Sequence, residues 1–231
     1  MSLINLEIKE NLRLPYLALL VGMFAISTSA ILIRYSNSEP LVIGTYRQAF
    51  ATLVFLPFIF KDRGAEISSQ SNSTLLEMAL TGILLGAHFS FFITSVKETS
   101  VAASVLLATC HVVYVAILGK IFFEEALSKN AIIGTTIALG GILVLFGGDL
   151  IDNPGNFKGN FYAFLAGVLA GLYYLSGRKL RRTISLPTYA FVVYLFSFIS
   201  MFTVVLMQNL NYENLPISEI RLFLLMALIP T

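Results

Sequence analysis

Residues 75–96 read LLEMALTGILLGAHFSFFITSV, an apolar run whose sole formal charge, Glu77, lies within a turn of its start. At about 1.5 Å of rise per residue the run is about 33 Å long as a helix, enough to cross a hydrocarbon core of about 30 Å. Similar runs fill the chain on both sides. They predict helices at 15–33, 41–60, 100–123, 130–146, 160–177 and 187–207, with an eighth starting near Glu219. The expected fold class is all-α, a polytopic transmembrane helix bundle with the lipid bilayer as its main solvent.

Composition agrees. The 231 residues are 57% hydrophobic and 12% charged, where a soluble domain has about 25% charged residues. A net charge of +2 is too small to point to nucleic acid, and the cations sit in short clusters between apolar runs. The lone cysteine, Cys110, excludes an intramolecular disulfide and has no second thiol with which to hold a metal. The connections are short and polar, as in the Ser- and Asn-rich 68–73 and the Asn153-Pro154-Gly155-Asn156 turn. The first apolar run is longer than the roughly 7–15 residues of a signal peptide, so it is read as a span.

Lys and Arg counted on alternate sides give an orientation. One side holds Lys9, Arg13, Lys61, Arg63, Lys120, Lys129, Arg178, Lys179, Arg181 and Arg182; the other holds Arg34, Lys97, Lys158 and Arg221. The bias predicts an integral protein of the cell (inner) membrane with a cytoplasmic N-terminus.

Self-comparison at an offset of about 144–148 residues superimposes the start of the chain on its later part. Arg34 closes the first helix as Arg178 closes the sixth, Pro40 precedes the second as Pro187 starts the seventh, and Met78-Ala79-Leu80 matches Met226-Ala227-Leu228. A repeat of five spans forces its two copies into opposite orientations. That inverted arrangement is common in secondary transporters, where it places a site near the bilayer midplane. The first repeat is assigned to residues 1–148. The second, 159–231, holds two helices and part of a third.

Residues 82–147 resemble the EamA-type repeat of the drug/metabolite transporter superfamily. The resemblance rests on Thr99-Ser100-Val101-Ala102-Ala103-Ser104, on Phe122-Phe123-Glu124-Glu125-Ala126-Leu127-Ser128, on Gly134, and on Ala138-Leu139-Gly140-Gly141-Ile142-Leu143; Arg47 also fits the pattern. It implies ten helices in inverted five-helix repeats and export or uptake of small solutes. Two positions depart from it. Val112, beside His111, stands where the family often has a proline midway along the fourth helix, which removes the usual cause of a break there. Glu124 replaces a common glycine ahead of the glutamate matched by Glu125.

Arg47 is the first candidate for a substrate-binding residue, because an arginine about two turns into a span is unfavourable by about 2.5–3.5 kcal/mol unless it faces a polar interior. Snorkelling to the headgroups is the alternative; the resemblance favours a grip on an anionic group or an internal helix contact. His88 and His111, the two histidines, both fall inside spans, where an imidazole binds a polar solute or simply bonds two helices together. Tyr114 lies one helical turn beyond His111 and, with Thr109, would extend it into a polar strip. Carboxylates lie near span ends (Glu39, Glu77, Glu98, Glu124, Asp149), which disfavours proton coupling through a buried acid. Gly82/Gly86 and Gly167/Gly171 form GxxxG patterns, and Ser100, Ser104 and Ala108 a small-residue stripe, all read as close helix packing. Ser27-Thr28-Ser29 is read as cavity lining or as bonding its own helix backbone.

No paired catalytic carboxylates, zinc motif, nucleophile–base pair or Walker loop appears, so no catalytic residue, cofactor or metal is assigned. The expected function is a secondary transporter of small solutes or metabolites by alternating access. The alternatives are a non-transporting scaffold or receptor-like bundle, and last an intramembrane enzyme. Because the second repeat stops within its third helix, the 231 residues are expected to be a fragment of a ten-helix protein. About 60–70 further residues would complete it by symmetry, and a homodimer is the partner expected to close the bundle otherwise.

Overall fold

The computed structural model describes residues 2–60, 64–123 and 127–230. Lys61, Arg63, Glu124 and Glu125 lie outside them. The described residues form α1 (Ser2–Tyr35), α2 (Pro40–Phe58), α3 (Gly64–Ser68), α4 (Asn72–Glu98), α5 (Val101–Thr109), α6 (His111–Phe123), α7 (Lys129–Asp152), α8 (Phe157–Leu180), α9 (Leu186–Met207) and α10 (Ile217–Leu228). They contain no strand. The protein is an all-α polytopic helix bundle.

Among the described residues, five segments are long and apolar enough to span a bilayer: Pro40–Phe58, Asn72–Glu98, Val101–Ile121, Lys129–Gly148 and Leu186–Met207. The sequence predicts seven complete spans. The predicted span 15–33 includes side chains outside those described, and Leu20–Tyr35 is the apolar part of α1 that lies within them. α8 carries Asn160 and a face of glycine and alanine, so its length is helical but its composition is less apolar.

Three local differences have physical causes. α1 starts at Ser2 rather than near Pro15, since the leading segment is rich in Leu, Glu and Lys, all good helix formers. A short helix, α3, occupies part of the polar loop after α2. The fourth predicted helix, 100–123, is interrupted at Cys110 although it has no proline. Cys110 leaves the helical region (φ −63°, ψ 3°), and the Val113 N–H bonds its carbonyl at 2.9 Å in a three-residue step. The side chains of Ser71 and Ser100 accept the N–H groups of Thr74 and Ala103, each at 3.1 Å, and cap α4 and α5.

Glycine sets the close approaches. A Cβ on Gly82 would lie 2.6 Å from the Val193 carbonyl oxygen, and one on Gly86 3.1 Å from that of Ser197, so α4 lies directly on α9. On Gly167 it would lie 2.8 Å from the Leu107 carbonyl oxygen, and on Gly171 3.2 Å from the Tyr114 Cβ, so the second pair seats α8 on α5 and α6. Both GxxxG patterns are packing seams, and the stripe residues Ser104 and Ala108 are buried. Two apolar clusters form, one toward each end of the bundle. Ile33, Ile43, Ile93 and Phe223 join α1, α2, α4 and α10; Met78, Leu85, Leu180 and Val193 join α4, α8 and α9. α7 stands apart, with Ile133, Ile137, Leu143 and Val144 each more than half exposed.

Candidate functional site

Arg47 lies two turns into α2 and is 2% exposed. Its guanidinium donates to Ser29 Oγ of α1 at 3.0 Å and to the Pro230 carbonyl, just beyond α10, at 3.1 Å. Its carbon sits 4.3 Å from the centre of the Phe89 ring of α4. It therefore points into the bundle and does not snorkel. A planar guanidinium offers five donors in a fixed fork and stacks on aromatic faces, and it here ties α1, α2, α4 and the end of α10 together. Ser29 is the member of the Ser27-Thr28-Ser29 triplet that meets it. Ser27 and Thr28 bond their own helix, at the Met23 and Ala25 carbonyls.

His88 follows on α4, next to Phe89. Its Nδ1 is 2.8 Å from the Ala166 carbonyl oxygen of α8. A carbonyl can only accept, so Nδ1 carries the proton and Nε2 is left as an acceptor in the neutral ring. The ring stacks on Phe92 at 6.0 Å. His111 opens α6 just after the break at Cys110. Its ring packs on Tyr174 of α8 at 4.8 Å, and its Nδ1 is 3.3 Å from the Ala108 carbonyl oxygen. Phe89 lies against both the Arg47 guanidinium, at 4.3 Å, and the His88 ring, at 5.0 Å, and α8 holds the two imidazoles.

Tyr114 takes a different place. It is 6% exposed, lies over Gly167 and Gly171, and meets Phe164 edge-on at 5.5 Å. Thr109 bonds its own helix at Val105 and Leu106. The polar strip expected from helical spacing does not form: Tyr114 packs over the glycines of α8, and Thr109 is taken up by its own helix.

Two crevices open in the bundle, and neither is lined by Arg47, His88 or His111. One, of about 510 Å³ between α4 and α9, is lined by Ser90, Phe91, Thr94, Tyr162, Ser200 and Gln208 among others. The second, of about 330 Å³ at the opposite end, is lined by Tyr173, Tyr174, Arg178, Arg181 and Tyr189 with two smaller residues. Tyr174 connects it to His111. The hydroxyl and aromatic lining was not singled out from sequence, since Ser and Thr inside spans usually bond their own helix, as Ser90 does to Gly86 and Thr94 to Ser90.

The described residues thus form an apolar helix bundle with a cation, Arg47, buried inside it. Residues 13–147 match the model of the EamA-like transporter family, and the chain belongs to that family. It is 30% identical over 122 residues to an uncharacterized transporter of Archaeoglobus fulgidus, a match covering 52% of this chain and 42% of the relative. It is 23% identical over 158 residues to an uncharacterized transporter of Helicobacter pylori, covering 68% and 52%. The chain spans about half the length of these relatives. A crystal structure resembles it with a TM-score of 0.64 at 20% identity, over 92% of this chain and 74% of that one, which is a likeness of fold.

Proposed function

We propose that this chain carries the core of a secondary transporter that moves small polar or anionic solutes by alternating access, with Arg47, His88 and His111 as its binding groups. The observation that carries the reading is Arg47, an obligate cation held at 2% exposure among four elements of an apolar bundle. A buried ionisable residue of this kind marks a solute path by default. His88 and His111 add neutral donors and acceptors on the facing helices.

The reading includes an inverted repeat, residues 1–148 and 159–231. It is supported by matching contacts: α4 packs on α9 as α10 packs on α2, and α4 meets α8 as α10 meets α1. It also includes a cytoplasmic N-terminus in the inner membrane, supported by the ten-to-four charge bias. Reporter fusions after Arg181 and Lys158 test that orientation: a periplasm-dependent reporter active after Arg181 overturns it. No catalytic group or cofactor enters the reading, and a scaffold without transport is its competitor.

Solute uptake into proteoliposomes, after a thermal-shift screen of anionic and neutral polar solutes, separates the two. Arg47→Ala and His111→Ala are each expected to lower uptake at least about tenfold, by analogy with the loss of one buried charged contact. Unchanged uptake and unchanged solute-induced stabilisation in both variants, with the protein folded, would remove the pair from the site.

A further inference from the structure

Two carboxylates near helix starts reach across the chain to distant partners, and they do so at opposite ends of the bundle. Glu219, in the first turn of α10, accepts from Ser36 Oγ at 2.5 Å, from the Asn37 N–H at 2.9 Å and from Ser38 Oγ at 3.0 Å. These three residues form the turn that leads into α2. Glu66, in α3 just ahead of α4, accepts from the Ser185 N–H at 2.8 Å, from Ser185 Oγ at 2.5 Å and from Thr188 Oγ1 at 2.6 Å. Those groups start α9.

The two arrangements share one logic. α2 and α9 pack on each other along the middle of the bundle, and neither is capped by its own N-cap side chain. Each start is instead held by a carboxylate from the other half of the chain, where an anion is also favoured by the helix dipole. The carboxylates are equivalent in role and not in register: the 148-residue offset that pairs Met78 with Met226 pairs Glu219 with Ser71. Different positions have therefore arrived at the same contact at each end. Other bonds reinforce both ends. Lys97 donates to the Ser36 carbonyl, and Arg34 to that of Thr99 at 2.5 Å; Lys179 pairs with Glu77 at 2.9 Å.

We infer that Glu219 and Glu66 are end clasps, each of which must release its serine-bearing turn for that end of the bundle to open. The inference rests on the alternating-access reading above. With both clasps made, as here, the two halves are fastened at both ends. Opening one end then costs three charge-assisted hydrogen bonds, while the other clasp keeps the opposite end shut.

The test uses spin labels on the full chain in lipid nanodiscs, on a Cys110→Ala background. One pair, at exposed Tyr35 and Asn214, spans the Glu219 end; the other, at exposed Ser69 and Thr183, spans the Glu66 end. Glu219→Gln keeps the side-chain shape and removes the charge. It is expected to raise a longer-distance population about tenfold at the first pair and leave the second unchanged, and Glu66→Gln to do the reverse. Ser38→Ala, which removes one bond at a less buried position, is expected to show a smaller shift in the same sense as Glu219→Gln. Unchanged distances in all three variants, or loosening of both ends by a single substitution, overturns the clasps and assigns the carboxylates to ordinary capping. Uptake by wild-type proteoliposomes is measured in parallel. Its absence alongside end-specific opening would refute the transport reading and leave the clasps standing.

Discussion

α4 and α7 are both glycine-bearing apolar spans, and they live in opposite surroundings. In its apolar window α4 is 44% buried and α7 is 6%, yet α7 is the more apolar of the two. Gly82 and Gly86 of α4 press on the backbone of α9, whereas a Cβ placed on Gly134, Gly140, Gly141, Gly147 or Gly148 of α7 would have no described atom within 4 Å. In water such an exposed helix would be unstable. In lipid the tails are as apolar as leucine, so hydropathy sets which segments span and says little about which of them meet. Shape and a few polar bonds decide the rest.

The largest effect is expected on the buried side. Ile93 is fully buried in the cluster that joins α1, α2, α4 and α10, and Ile93→Ala is expected to cost about 2–5 kcal/mol through the cavity it leaves. Ile137→Ala on α7, 69% exposed, should stay within about 0.5 kcal/mol, as surface substitutions do. Thermal unfolding of both variants in the same lipid or detergent reads the difference. Equal losses would mean that α7 is covered in the membrane.

A smaller effect is expected from filling space. The Cβ of Gly82→Ala would meet the Val193 carbonyl oxygen at 2.6 Å and the Phe196 Cβ at 2.7 Å. Neither is the end of a flexible side chain, so α4 and α9 must separate, at about 1–3 kcal/mol. A melting temperature at the wild-type value would place the α4–α9 contact elsewhere.

Five of the seven predicted spans are found among the described residues, and they could be read from the sequence because they follow from apolar run length alone. The break at Cys110 could not, since no proline marks it. Arg47 was legible because a cation two turns into a span demands an explanation, and its burial supplies one. His88 and His111 were legible as intramembrane imidazoles, but not their common dependence on α8 through Ala166 and Tyr174. Tyr114 was drawn into the site by helical spacing from His111 and sits instead over a glycine seam. Glu66 was not singled out, and Glu219 marked only the start of the eighth helix. Their partners lie more than a hundred residues away, a separation that no local pattern encodes.

Gly141→Ala gives the smallest effect and separates the two helices most cleanly. Glycine within a helix is less favourable than alanine by about 0.5–1 kcal/mol, because it loses more backbone freedom on folding. At Gly141 nothing described opposes the added methyl, so the substitution is expected to leave stability unchanged or raise it by up to that amount. Gly82→Ala makes the same chemical change on α4, where the collision with α9 outweighs the entropic gain. The melting temperature should therefore fall for Gly82→Ala and hold or rise for Gly141→Ala. A fall for Gly141→Ala in lipid that is absent in detergent would show that another helix lies against α7 in the membrane, through a second copy of the chain or further residues beyond those described. A fall in both media would mean that α7 packs within the bundle, and the distinction between a glycine that admits a neighbour and one that faces lipid would be lost.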